Sequence, residues 1–319
     1  LYISNQVPNR SLIDYFSAEA DRRVDISPRE GQLYTDNRPD GDMLPILRQA
    51  VASTDSSLFV VLHMYGSHMD YTKRYPKDFA FFTPDDASAV NRETKDKVRN
   101  AYDNSIRYTD HVLDQVISVL DSTDAVTALF FCSDHGEMLF DHSLFRKVLP
   151  YEGSTRIPFI VHVGKNVELA RGERVRGVSE STVELMDLMP TILEACRLPV
   201  PEGVEGSSLL GELTGAAPLD RACLHGEHSG SHEQSNQWIV TPHDKYIWFT
   251  QTGVEQYFDL DADPRECVNL IDRPECAERI AELRALLIEE LAGREEGYVK
   301  DGELRVGCKP AVNLEHPRR

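Results

Sequence analysis

Apolar residues run in short unbroken blocks at three places in this chain, and each block stops abruptly at polar residues. Ser57-Leu-Phe-Val-Val-Leu-His63-Met64, Ala128-Leu-Phe-Phe-Cys-Ser133 and the run 157–163 have strand length. Such runs suit strands covered on both faces of a parallel sheet. Between the first two, Val98, Ala101, Tyr102, Ser105, Ile106, Thr109, Val112, Leu113, Val116, Ile117 and Leu120 recur at helical spacing, which predicts one long amphipathic helix. Strand–helix–strand order implies a doubly wound α/β sheet. Near residue 187 an Asp leads into Leu-Met-Pro190-Thr-Ile-Leu, a capped helix start that ends before Leu198-Pro-Val-Pro201. From about Leu224 the texture changes. Segments 237–241, 245–250 and 255–260 predict an antiparallel meander, and Ile280, Leu283, Leu287 and Leu291 a closing helix with Gly293 at its C-terminus. The change divides the chain into an α/β core, residues 1–222, and a sheet-and-helix subdomain, residues 223–319.

At 319 residues, 41% of them hydrophobic, there is ample material for such a core. The net charge of −19 argues against nonspecific binding to nucleic acid or anionic lipid. It leaves a small anionic substrate open, because a bound cation and one lysine invert the local sign. Six cysteines are scattered without a CxxC pair, which makes a poor zinc cluster and a weak disulfide framework. No apolar run reaches the ~20 residues of a membrane helix. Leu1 is not an initiating Met, so an upstream signal or anchor would lie outside the sequence. Compartment is therefore open, with the periplasm and a membrane tie expected only if such an anchor exists.

Chemistry concentrates after the second block, in Ser133-Asp134-His135-Gly136-Glu137. Ligands of open α/β sheets gather at strand carboxyl ends, and a carboxylate beside a neutral imidazole is half of a divalent-metal ligand set. Taken alone, two polar residues after a strand are an ordinary turn. The longer passage, through Asp141-His142-Ser-Leu-Phe-Arg-Lys147 and Pro150-Tyr-Glu-Gly-Ser-Thr-Arg156-Ile-Pro158, resembles the second metal-binding segment of the sulfatase branch of the alkaline-phosphatase superfamily. That resemblance implies Asp134 and His135 as metal ligands. It implies Lys147, thirteen residues beyond Asp134, as a contact to the sulfate or phosphate anion. His68, in Met64-Tyr-Gly66-Ser-His68, follows a strand and a glycine turn and becomes a second substrate-anion contact by the same resemblance. His63 is equally a strand-end core residue, the role of His142 is open, and Glu137 suits a supporting role. His225, His228 and His232 fall in a Gly/Ser-rich stretch that reads as a flexible polar loop. Tyr257-Phe-Asp-Leu-Asp-Ala-Asp-Pro264-Arg-Glu-Cys-Val-Asn269 resembles a sulfatase tail, and without the glycine and terminal Glu of an EF-hand it reads as a solvated turn.

The resemblance has two textures. Leu1-Tyr-Ile-Ser-Asn-Gln6, the Gly-Ser-His…Arg74-Tyr-Pro76 loop and Asn100-Ala-Tyr-Asp-Asn104 are similar to phosphoethanolamine transferases, while from His142 onward the wording is that of arylsulfatases. No (C/S)-x-P-x-R nucleophile motif occurs; Gln6-Val-Pro8-Asn-Arg10 has only its second half. The family's first catalytic strand and nucleophile are thus expected to be missing. The resemblance implies a metal-dependent sulfuric-ester hydrolase acting on a small anionic ester, with an incomplete catalytic domain. A phosphoethanolamine transferase domain and a noncatalytic binding remnant are the alternatives. One divalent ion is implied, Ca2+ by sulfatase resemblance, with Zn2+ or Mn2+ favoured by the imidazole ligand.

Overall fold

The computed structural model describes residues 1–6, 13–27, 38–86, 89–167, 176–228 and 234–309. The Pro8 and Arg10 half-motif and His232 lie outside them. The chain divides into two compact units: Leu1–Leu129 with His162–Val167, and Phe130–Val161 with Glu168–Arg319. This division departs from a boundary at residue 222, because the segment after Asp134 packs with the C-terminal sheet.

In the first unit, β1 (Tyr2–Ser4) is central, flanked by β2 (Arg23–Asp25) and β3 (Val61–His63), all parallel. The register places Ile3, Val24 and Leu62 in one row. Their side chains join Met43, Leu47, Val116 and Val119 in a single apolar cluster. That cluster is the reason for two helices beyond the short α1 (Ile13–Phe16): α2 (Leu44–Ala52) and α3 (Lys95–Asp121). Each fully buried Val, Leu or Ile there contributes roughly 1.5–3 kcal/mol. The helix predicted over 98–120 is therefore α3, turned slightly from the expected face. Ile106 is exposed, while Asn104 is buried and accepts hydrogen bonds from the backbone N–H of Phe81 and Phe82, both at 2.9 Å. The first predicted strand is shorter than its apolar run. Leu58 and Phe59 stay outside the sheet and are exposed.

β4 (Ala128–Cys132) ends the run before Asp134. A hairpin of β5 (Met138–Leu139) and β6 (Phe145–Arg146) follows, then the one-turn α4 (Glu152–Thr155) and β7 (Phe159–Val163). Among the described residues β4 pairs with β7. Expected as covered on both faces, β4 instead has Ala128 exposed and its other residues half-buried. The second unit continues through α5 (Leu188–Ala195) and α6 (Leu210–Leu213) to an antiparallel sheet. Its strands are β8 (Leu224–His228), β9 (Asn236–Val240), β10 (Asp244–Phe249) and β11 (Glu255–Asp259), in the order β11-β10-β9-β8. One face of this sheet packs Ile239, Tyr246, Trp248 and Tyr257 against Ile280, Leu283, Leu287 and Leu291 of α7 (Ala277–Leu291). A terminal hairpin, β12 (Val299–Lys300) and β13 (Glu303–Leu304), completes it. His225 and His228 thus belong to edge strand β8 rather than to a polar loop. A side chain at Gly226 would meet the Trp238 ring at 2.1 Å, so only glycine lets β8 close on β9 there.

Candidate functional site

The turn after β4 presents its two polar residues in different ways. The Asp134 side chain is 84% exposed, whereas that of His135 is 31% exposed. Hydrogen bonds hold the turn. Ser133 Oγ donates to the His135 carbonyl at 2.7 Å, and the His135 backbone N–H donates to Asp134 Oδ1 at 3.1 Å. The imidazole Nδ1–H donates to the Gly136 carbonyl at 2.8 Å. In the neutral ring that contact puts the proton on Nδ1 and the lone pair on Nε2, the arrangement of a metal-ligating histidine. Nε2 lies 3.6 Å from Asp134 Oδ2. Two donors sharing one tetrahedral ion with bonds of about 2.1 Å stand about 3.4 Å apart, so this pair fits a common cation. Among the described residues no group of three or more His, Cys, Asp or Glu forms a larger cluster. Gly136 is required by close approach: its N–H donates to the Ser154 carbonyl at 2.7 Å, and a Cβ would lie 2.3 Å from the Gly153 carbonyl oxygen.

Lys147 follows β6, half-buried, in the same unit as Asp134 and His135. Its loop is contorted: Phe140, His142, Ser143, Arg146 and Val148 all have positive φ, Val148 at 118°. Such backbone is costly for side chains with a Cβ and persists only where surroundings over-determine it. His142 stacks on Tyr151 with centroids 4.3 Å apart and donates from Nε2 to the Arg265 carbonyl at 2.8 Å.

His68 belongs to the first unit and is described there by itself. It is half-buried, edge-on to Tyr65 at 5.1 Å, with its carbonyl accepting from Arg74 Nε at 3.2 Å. Arg74 in turn lies over the Tyr65 ring at 4.1 Å. The preceding turn needs Gly66, at φ 60°. It is pinned by Asp40, buried to 4% exposure, which accepts from Tyr65 N–H at 2.9 Å, Gly66 N–H at 2.8 Å and Asn5 Nδ2 at 2.7 Å. Burial pushes the Asp40 carboxyl up, against those hydrogen bonds. His63 is hydrogen-bonded through Nδ1 to the Tyr2 hydroxyl at 2.6 Å.

Sequence reasoning missed Asp40, which sits in a Pro-Asp-Gly-Asp stretch resembling any turn. It also missed a buried ionic cluster. Lys245 Nζ, fully buried, contacts Glu152 Oε1 at 2.6 Å, Glu266 Oε1 at 2.9 Å and the Pro150 carbonyl at 3.0 Å. Glu266 Oε2 accepts from the Glu152 N–H at 2.6 Å. The tail read as a solvated turn is therefore solvated only in part: Asp261 is exposed and Glu266 is 2% exposed. The available signal was weak, a lysine leading into the apolar residues of β10.

A parallel sheet with helical cover, a carboxylate–imidazole pair at a strand end and a lysine-bearing hairpin beyond it define an α/β protein of the alkaline-phosphatase/sulfatase type. The chain belongs to the sulfatase family, whose model matches residues 3–197. A second model, N-sulphoglucosamine sulphohydrolase, C-terminal, matches residues 140–293. An arylsulfatase of Clostridium perfringens is 42% identical over 231 residues, 72% of this chain and 47% of that protein. The Kdo(2)-lipid A phosphoethanolamine 7''-transferase of Escherichia coli is 34% identical over 131 residues, 39% of this chain and 23% of that protein. The chain thus spans less than half the length of these relatives. Among solved structures, a phosphonate monoester hydrolase of Agrobacterium radiobacter superimposes with a TM-score of 0.63 at 19% identity, covering 78% of this chain and 60% of that one. That likeness concerns the fold. No helix among the described residues is long and apolar enough to cross a membrane.

Proposed function

We propose that this chain carries the metal grip and anion contacts of a sulfuric-ester hydrolase whose substrate is a small anionic ester. The observation that carries this reading is the Asp134–His135 turn, with an exposed carboxylate 3.6 Å from the Nε2 of an imidazole whose Nδ1 is engaged by the Gly136 carbonyl. When bound there, a divalent cation would supply electrostatic stabilisation to an ester oxygen as charge builds at sulfur. Asp134 and His135 hold that position, and Lys147 donates to a non-bridging oxygen of the anion. Sulfatase membership favours Ca2+, while the nitrogen ligand suits Mn2+ or Zn2+ as well. The sequence contains no (C/S)-x-P-x-R, so no residue here is assigned the nucleophile, and the isolated 319 residues are expected to bind without turning over.

A titration of the chain with Mn2+, followed by electron paramagnetic resonance, tests the grip. One bound ion, displaced by excess Ca2+ and lost in Asp134→Ala and His135→Ala, is expected. Binding unchanged in both variants would overturn the assignment. The second reading is a phosphoethanolamine transferase domain, favoured by the 34% identity to the lipid A transferase. It predicts that inorganic phosphate displaces a bound sulfate at equal concentration, whereas the hydrolase reading predicts preference for sulfate.

A further inference from the structure

The Lys147 loop contains five non-glycine residues at positive φ from Phe140 to Val148. Contacts from a distant turn meet it on both sides. On its N-terminal side, Asp141 is ion-paired with Arg265, and His142 donates to the Arg265 carbonyl at 2.8 Å. On its C-terminal side, the Glu152 N–H donates to Glu266 Oε2 at 2.6 Å, while buried Lys245 bridges the Glu152 and Glu266 carboxylates. Two consecutive residues of one turn thus grip the loop on both flanks of Lys147. Both the turn and the loop lie within the second unit. Glu266 itself takes φ 55°, the backbone bend that lets its side chain point inward while Arg265 remains at the surface.

We propose that the Arg265-Glu266 turn is a positioning clamp, and that it sets where the Lys147 ammonium stands relative to a bound sulfate. The proposal rests on the reading of Lys147 as an anion contact. Arg265 and Glu266 never touch the anion. They fix a strained loop that would otherwise relax to ordinary φ values and swing the amine away. An isolated acidic turn has no reason to bury one glutamate beside a lysine from another strand; a clamp has one.

The test uses the full chain, inorganic sulfate as probe and hydrogen–deuterium exchange as second readout. Two variants perturb the clamp: the double variant His142→Phe/Arg265→Ala, which keeps the ring over Tyr151, and Glu266→Gln. Lys147→Ala is the reference for the anion contact. Sulfate affinity is expected to fall about tenfold in Lys147→Ala and in both clamp variants, as for loss of one charge-assisted hydrogen bond. Exchange should rise in residues 143–150 but not in α7. Arg265→Lys, which keeps the charge, should stay within about twofold of the parent chain. Unchanged exchange at 143–150 overturns the clamp whatever sulfate does. Raised exchange with unchanged sulfate affinity, while Lys147→Ala weakens binding, overturns the positioning role and leaves the anion contact standing. If Lys147→Ala itself binds sulfate like the parent, both the contact and the clamp's purpose fall.

Discussion

Replacing Lys245 by Met isolates what the buried ionic cluster contributes. The ammonium is fully buried, and its removal strands Glu266, itself 2% exposed, together with the half-buried Glu152 and the Pro150 carbonyl. Met fills nearly the same volume, so the loss is electrostatic rather than a cavity. Removing one member of a buried ion pair costs about 3–5 kcal/mol, because the remaining charge keeps its desolvation penalty without its partner. With a urea slope of about 2 kcal/mol per molar, the midpoint should fall by roughly 2 M. The two tryptophans of the chain, Trp238 and Trp248, both lie in the sheet that carries Lys245, so their fluorescence reports unfolding of that unit. The loss should also depend on pH with a definite sign. Burial already pushes the Glu266 carboxyl up, and Lys245 is the charge that draws it back down. Without Lys245 the folded-state value rises further above the unfolded one. The protonated form is then favoured by folding, stability is present at low pH and is lost as pH rises through the folded value. The variant should therefore lie closer to the parent at pH 5 than at pH 7. Adding Glu266→Leu to Lys245→Met should recover part of the loss, since the uncompensated charge goes too. A midpoint shift of less than about 0.5 M for the single variant at pH 7 would refute the argument.

Other outcomes follow from single observations. Gly226→Ala should destabilise the C-terminal sheet by about 1–3 kcal/mol, read as a lowered tryptophan-monitored midpoint, because the added methyl overlaps the Trp238 ring. Asp40→Ala should lower the melting temperature of the chain and raise amide exchange at Tyr65 and Gly66, whose N–H groups lose their acceptor. Acid should unfold the second unit by a specific route. Burial raises the Asp244 carboxyl, but hydrogen bonds from Arg279 and Thr241 outweigh it and leave it below its ordinary 3.8. Its contribution is complete above that value and is lost as pH falls through the lower folded one. Arg279→Gln should therefore flatten the acid limb of the stability curve, measured by urea midpoints at descending pH.

Which parts of this were readable in the sequence follows from how local each signal is. The closing helix 277–291 and the three meander strands are written in periodicity, and each appears within a few residues of its expected bounds. The Asp134–His135 turn was visible because adjacent residues and a fixed spacing to Lys147 are properties of the string itself. Edge strand β8 was not, because glycine and histidine are poor strand formers and only pairing with β9 makes Leu224–His228 extended. The half-exposed β4 shows the converse: apolar content marks a strand but cannot say how many neighbours will cover it. Glu152 lies 93 residues from Lys245 and 114 from Glu266 along the chain, and nothing in any one segment announces that the three charges converge.

Asp40 has a kinetic consequence. Its carboxylate is satisfied by Asn5, 35 residues upstream, and by Tyr65 and Gly66, 25 and 26 residues downstream. Local contacts within the histidine loop are therefore not enough to pin its Tyr65-Gly66 turn, which must await closure of two long chain segments around a single acceptor. Among the described parts of the first unit, that corner is expected to be the last to order on refolding and the first to open on denaturation, long before the helices behind it give way.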